Sequence, residues 1–347
     1  MTLQSFSNKN DINIYINKFN NNFYNFIKKY PHKNWAWHLL SGNPNITIDI
    51  IEDNINELYA WRYTSENPNI NIDFIIKYFN KPWDWESISK NPAITMDIIK
   101  KYPDFPWCWN GLSENINLTI DMVIENLDKD WNWVKISINR AITTDIIEQY
   151  RDLPWCWTNL PQNPNLTKDF LEENSHLFFE MCSLSMCPNL TIDYINKFYY
   201  KNWNWIYISK NSSITMDMIK DNPDKPWDYD SISENPNLTM DIIIDNPKQW
   251  WNWCKISMNP AITYDIIKKY PDKFWDWRYV SLNPNITIDI IKDNLDKPWD
   301  CYWISMNGME KGKELWIKQN IKRYISYKIL LNKLESDICE LIVNNII

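Results

Sequence analysis

An aromatic pair, Trp83-Asp84-Trp85 in its clearest form, recurs along this chain every 24 residues without a slip. Counted from Trp35, the first aromatic falls at 59 (Tyr), 83, 107, 131, 155, 179 (Phe), 203, 227, 251, 275 and 299. A period this short and strict means twelve copies of one supersecondary unit, none able to bury its apolar face alone. Neighbouring copies must therefore supply each other's core. The expected fold is all-α: an α-solenoid of about twelve 24-residue two-helix repeats. Drawn out at ordinary helix spacing it would be a curved rod on the order of 100 Å long.

One unit, Trp83 to Pro106, reads WDWESISKNPAITMDIIKKYPDFP. Asp84 precedes the first helix, and Asp or Asn fills that slot in seven copies. Such side chains accept from the orphan amides of a first turn. Thr95 heads the second helix; Thr fills its slot in ten of eleven copies, and Asn71 is the exception. Trp83 stands one before its cap and Ile88 four after it, and Ile94 and Ile99 flank Thr95 in the same way. This is the spacing of a hydrophobic staple.

An Asp two residues past Thr95 has an equivalent in all eleven copies, from Asp49 to Asp289. The helix dipole favours a carboxylate there by about 0.3–1 kcal/mol. Lying one repeat apart, these residues are expected to be caps and not cation ligands. Ile98, Ile99 and Tyr102 share one side of the second helix, and Trp85, Ile88 and Ser89 one side of the first. Ser fills the Ser89 slot in eleven of twelve copies, a small residue that lets neighbouring helices approach. Asn91-Pro92 stops the first helix and Pro103 the second. Helices of about seven residues are too short to persist alone in water.

Residues 1–23 precede the register, and Asp11 to Phe19 reads as a helix capping the first repeat. Residues 24–308 hold the array. Beyond Asn307 the register ends, and residues 309–347 read as one or two amphipathic helices with Trp316, Ile321, Tyr324, Ile325 and Ile329 on one face. A C-terminal helical cap is expected, a partner-binding tail being the alternative. The seventh copy departs furthest: His176-Leu-Phe-Phe-Glu-Met181 replaces the aromatic pair and Cys187-Pro188 replaces Asn-Pro, with Thr158 and Pro161 irregular upstream. A bend or simple drift is expected there, with a partner site as the alternative.

The unit Asn-Pro-Asn-Ile-Thr-x-Asp-Ile-Ile…Asp-x-Pro-Trp-Asp-Trp-x-x-Ile-Ser resembles the leucine-rich repeat variant family over residues 24–308. The resemblance implies alternating short α and 3-10 helices stacked in a right-handed superhelix. Ile and Leu stand here where that family has Leu, and the Trp pair replaces a weaker aliphatic and arginine pattern. Some members carry a cysteine-ligated iron–sulfur segment; with no Cys before Cys108, no cluster is carried over to this chain. The composition also looks like that of repeat proteins from giant DNA viruses of protists.

Charge and composition exclude more than they assign. The net charge is −8 with Lys spread along the array, lacking the basic stripe of a phosphate-tracking protein, so nucleic acid is not the expected partner. Four Gly can hardly build a phosphate loop. The three His (His32, His38, His176) sit in no motif, and no His accompanies the rows of Ser. His176, Cys182 and Cys187 lack a fourth zinc ligand. Seven Cys without a spaced framework suit free thiols in a reducing compartment. Asn-x-Thr triplets such as Asn45-Ile-Thr47 are by-products of the repeat. No stretch is apolar enough for a membrane span, and the first thirty residues hold no signal-type apolar run. Neither a cofactor nor a membrane is expected, and the expected location is cytoplasmic, with a virion component also compatible.

The function expected is that of a non-enzymatic scaffold for protein–protein interaction. Recognition should fall where the copies disagree. The residue after the second aromatic is the best candidate: His38, Arg62, Glu86, Asn110, Val134, Thr158, Cys182, Ile206, Asp230, Cys254, Arg278 and Tyr302. Its neighbour adds Tyr63, Tyr207, Tyr279 and Trp303. Tyr, Trp and Arg are the types that anchor interfaces. The alternative is a ladder of Trp stacking on a glycan or single-stranded nucleic acid. That requires the first Trp of each pair to be exposed, whereas the staple spacing predicts burial.

Overall fold

The computed structural model describes residues 9–55, 60–174, 179–324 and 326, and among them there are helices, turns and loops but no strand. Each copy is a short helix beginning at the second aromatic (Trp85–Lys90) and a second helix beginning after the Thr (Met96–Lys101). The caps read from sequence are in place. Asp84 Oδ1 accepts from the amides of Glu86 and Ser87 at 3.0 and 3.2 Å, and the other six Asp or Asn caps also accept a first-turn amide. Eight of eleven second-helix caps bond likewise; Thr47, Thr95 and Thr239 do not. The core runs through the Ile88 and Ile94 slots, which are at most 3% exposed from Leu40 to Ile304.

The helices alternate as α and α, not as α and 3-10. Among the described residues the one first helix built as 3-10 is Leu160–Gln162, in the sixth copy. Pro161 sits in it, without the amide an α turn would use.

Three polar rows join each copy to the one before. In ten places the Ser89-slot hydroxyl accepts the amide of the next copy's cap residue, as Ser89 Oγ does from Cys108 N at 2.9 Å. Pro161 has no hydroxyl, and there the Glu180 amide turns to Thr158 O instead. The Asn91 slot does more than stop a helix. In all eleven of its Asn copies, Nδ2 donates to a carbonyl of the preceding copy; Asn115 reaches Ser89 O, Asn91 O and Ile94 O. Buried carbonyls left by short helices are satisfied this way. The third row is the aromatic pair. In ten copies the first Trp donates Nε1–H to the carbonyl five residues back, at 2.7–3.0 Å. The second aromatic meets the next copy's first Trp edge-on at 4.8–5.5 Å in eight places.

The expected open rod is not what forms. The array closes on itself in register. Asn43 Nδ2 donates to Ser305 O and Asn307 O at 2.9 and 3.0 Å, and Ala36 N donates to Ser305 Oγ at 3.1 Å. Asn45 Nδ2 donates to Gly308 O. These are the bonds that join any two successive copies, so the first copy follows the twelfth as a thirteenth would. Closure leaves no superhelical rise, which replaces the right-handed superhelix implied by the family resemblance. First helices pack side by side around the ring, whereas consecutive second helices splay. First helices therefore form the inner wall and second helices the outer one.

The chain ends complete the ring instead of capping a rod. The N-terminal helix runs unbroken over Lys9–Lys29, across the expected boundary at 23/24. Its last turns bury Phe26 and Ile27 as Ile50 and Ile51 are buried 24 residues on. It thus supplies the outer helix for the copy whose inner helix is Cys301–Met306. The other end must leave that slot free. Met309, at φ 54° and fully buried, turns the chain away into a helix over 310–324. Trp316 of that helix packs edge-on against Phe19 and donates to Asp289 Oδ2 at 2.8 Å. The expected apolar positions Ile325 and Ile329, and the rest of the proposed cap, lie outside the described residues.

Candidate functional site

The variable positions line the inner wall. Lys135 Nζ lies 3.5 Å from Glu86, two copies away, and also bonds Glu114, one copy away. Side chains two repeats apart meet only on a concave face, because on a convex one they diverge. At 8–10 Å per copy, and allowing for helix thickness, the opening is about 20–25 Å across.

Closure gathers seven of the sixteen candidate residues into one arc over copies eleven, twelve, one and two. Tyr279 stacks on Trp303 at 5.8 Å and 28°, and Trp303 meets Tyr302 edge-on at 5.7 Å. His38 stands 6.2 Å from the Tyr302 ring and 5.5 Å from the Tyr63 ring. Arg278 lies over Tyr279 at 5.9 Å and binds Asp276 through both Nε and Nη2. Arg62 faces Asp84 at 3.7 Å. Tyr302 is 44% exposed, and both Arg side chains are exposed.

Four more candidates, Glu86, Asn110, Asp230 and Tyr207, sit in or beside two charged clusters. Asn110 Nδ2 donates to Glu86 at 3.0 Å, beside Lys90, Glu114 and Lys135. Asp230 takes Lys255 Nζ at 2.5 Å and Asn252 Nδ2 at 2.8 Å, and Lys255 also binds Glu234. Tyr207 lies beneath Lys210 at 5.3 Å. The two clusters share four positions, and Glu86 of the first has Ile206 in its place in the second. Lys90, Asn110, Glu114 and Lys135 recur 120 residues on as Lys210, Asp230, Glu234 and Lys255. Reading only the most variable slot missed the Lys and Glu partners; comparison at five times the period exposes them.

The ion pairs hold three carboxylates of the wall in their charged form. The Lys90 ammonium bonded to Glu86 holds that carboxyl below the usual range, Lys255 does the same to Asp230, and Arg278 to Asp276. Burial pushes the Cys187 thiol up to about 11, against the thiolate a metal would require. His176 lies outside the described residues. Among the described residues no group of three His, Cys, Asp or Glu could hold a metal ion. Ten of the eleven first-turn Asp are exposed on the outer wall. Asp289 is the exception, taken by Asn22 and Trp316.

Most of the first aromatics are buried. The first aromatic is at most 9% exposed at Trp35, Trp83, Trp107, Trp131, Trp155, Phe179 and Trp227. Trp203, Trp251, Trp275 and Trp299 are partly buried against the core, with their indole N–H groups already used. Burial is what the staple spacing predicted.

The class defined by fold and wall is a closed, twelve-copy α-solenoid ring. Comparison with known protein families, with curated proteins and with solved structures found no match.

Proposed function

We propose that this ring is a non-enzymatic scaffold that holds a protein partner against its inner wall, chiefly on the arc from Arg278 to Tyr63. The observation that carries this reading is a division of labour. The Ser, Asn and Trp positions spend their polar groups on joining copies, whereas the arc collects Tyr, Trp, Arg and His side chains on the inner wall, with Tyr302, Arg62 and Arg278 exposed. Those are the types that anchor interfaces. An opening of about 20–25 Å admits one or two α-helices, each about 10–12 Å wide. The alternative, a Trp ladder stacking on glycan or single-stranded nucleic acid, has less to rest on, since most of the first aromatics are buried.

A photo-crosslinking residue at Tyr302, compared with one at Asp97 on the outer wall, tests the reading. A partner of the wall is crosslinked from 302 and not from 97. Its capture falls roughly tenfold in a Tyr302→Ala/Trp303→Ala chain, the loss expected when interface anchors are removed. Equal crosslinking at both sites, or undiminished capture by the double variant, rejects it.

A further inference from the structure

One edge of the ring is built from the loops that lead from each outer helix to the next inner helix. Because closure is in register, equivalent loops stand at one height and the edge is flat. The four most exposed large apolar side chains among the described residues all stand on it: Trp250 at 89%, Tyr199 at 80%, Phe274 at 77% and Tyr200 at 68%. Trp250 and Phe274 fill the same slot in successive copies, and Tyr199 and Tyr200 lie two loops earlier. Monomeric proteins seldom leave such a group uncovered.

Lysines accompany these aromatics, as they do at 28–33, 77–81 and 100–104 on the same edge. On this arc Lys201, Lys225, Lys248, Lys269 and Lys273 stand outside the ion pairs formed among described residues, against Asp221, Asp224 and Asp272. The opposite edge carries the row of first-turn Asp, and the whole chain is at −8.

We propose that this edge docks on an anionic lipid surface. Trp, Tyr and Phe in one plane suit the boundary between headgroups and acyl chains, where an amphipathic ring keeps one end wet. Lys side chains beside them can lay their stems on apolar surface and reach anionic headgroups. A flat edge brings four successive loops to a flat surface together, which a curved protein partner would not require. The net excess of Lys over Asp on the arc matches a negative surface and repels a second copy of the same edge. No described helix is long and apolar enough to cross a membrane, so the contact is peripheral.

The full chain is sedimented with vesicles of phosphatidylcholine alone and of phosphatidylcholine with phosphatidylserine. Expected is binding to the anionic vesicles only, weakened by added salt and reduced roughly tenfold in Trp250→Ser/Phe274→Ser. Both side chains are so exposed that the variant keeps its fold, checked by its circular dichroism and melting. No binding to anionic vesicles, equal binding to both kinds, or equal binding by the variant overturns the proposal. So does concentration-dependent dimerisation of the native chain that the double variant abolishes, since a second copy would then cover the edge.

Discussion

Asn43 donates its side-chain amide to the carbonyl of Asn307 at 3.0 Å, across 264 residues of sequence. Asn67 makes the same bond to Asn43 at 3.2 Å, across 24 residues. The fold treats the two as one kind of neighbour. The difference is that the chain itself also holds Asn67 beside Asn43, whereas only non-covalent contacts hold Asn43 beside Asn307.

That difference predicts how the ring fails. Asn43→Leu with Ser305→Ala removes the donor to two buried carbonyls and the acceptor of the Ala36 amide. Each unmet buried group costs about 1–3 kcal/mol. The pair should open the seam before the copies unfold. Small-angle scattering would then show the maximum dimension growing toward the ~100 Å of an open array at ordinary helix spacing. Asn163→Leu, inside the array, should lower stability without that growth. Unchanged dimensions in the seam variant would show that closure rests on other contacts.

The tryptophans should report on stability. Trp131 gives its Nε1–H to Asn126 O at 2.8 Å, so Trp131→Phe strands a helix-end carbonyl and loses ring volume, costing about 1–3 kcal/mol. Trp250→Phe, on an exposed side chain, should stay within about 0.5 kcal/mol. Urea midpoints of the two variants decide the matter, and similar losses would contradict the assignment.

Thr64 marks a flaw in the core. It fills the Ile88 slot of the second copy, fully buried, and its hydroxyl has no partner. Thr64→Val keeps the shape and removes the unmet group. A gain of about 1 kcal/mol is expected in thermal or urea unfolding; a loss would mean that the hydroxyl is satisfied in solution.

Lys313 couples the seam to pH. Its ammonium donates to Asn20 Oδ1 and Asn45 Oδ1, yet burial pushes its pKa from 10.5 down to about 8. The folded-state pKa is depressed, so the unfolded chain binds more protons between those values. Stability from this group is therefore full above about 10.5 and is lost as pH falls through about 8. Against Lys313→Met, the native chain should gain in urea midpoint as pH is raised across that window. A constant gap between the two would count against a buried ammonium.

Much of this protein was legible in residues with local work to do. Asp84 and the other Asp and Asn caps, Ile88 and Ile94, and the burial of Trp83 all follow from spacing, because capping and stapling act within one helical turn. Within one unit the Asn91 slot is legible only as a helix stop, since its partners lie one copy away. The candidate residues are legible one by one, as variable positions of the repeat. That Arg278, Tyr279, Tyr302 and Trp303 stand beside His38, Arg62 and Tyr63 was not legible, because the two groups lie at opposite ends of the chain.

The sequence by itself determined the repeat, its two helices, their caps and their shared core, since each depends on contacts within one copy or between two. Only the tertiary structure decided that the array is a ring. Closure requires roughly 30° of turn per copy and almost no rise, summed over twelve neighbour contacts. No single residue sets that angle; it emerges from how wide inner Trp-led helices and splayed outer helices pack against each other. The N-terminal helix then fills the place that the turn at Met309 leaves open. What began as two chain ends becomes one more copy of the repeat, and the arc across that seam is where the candidate site lies.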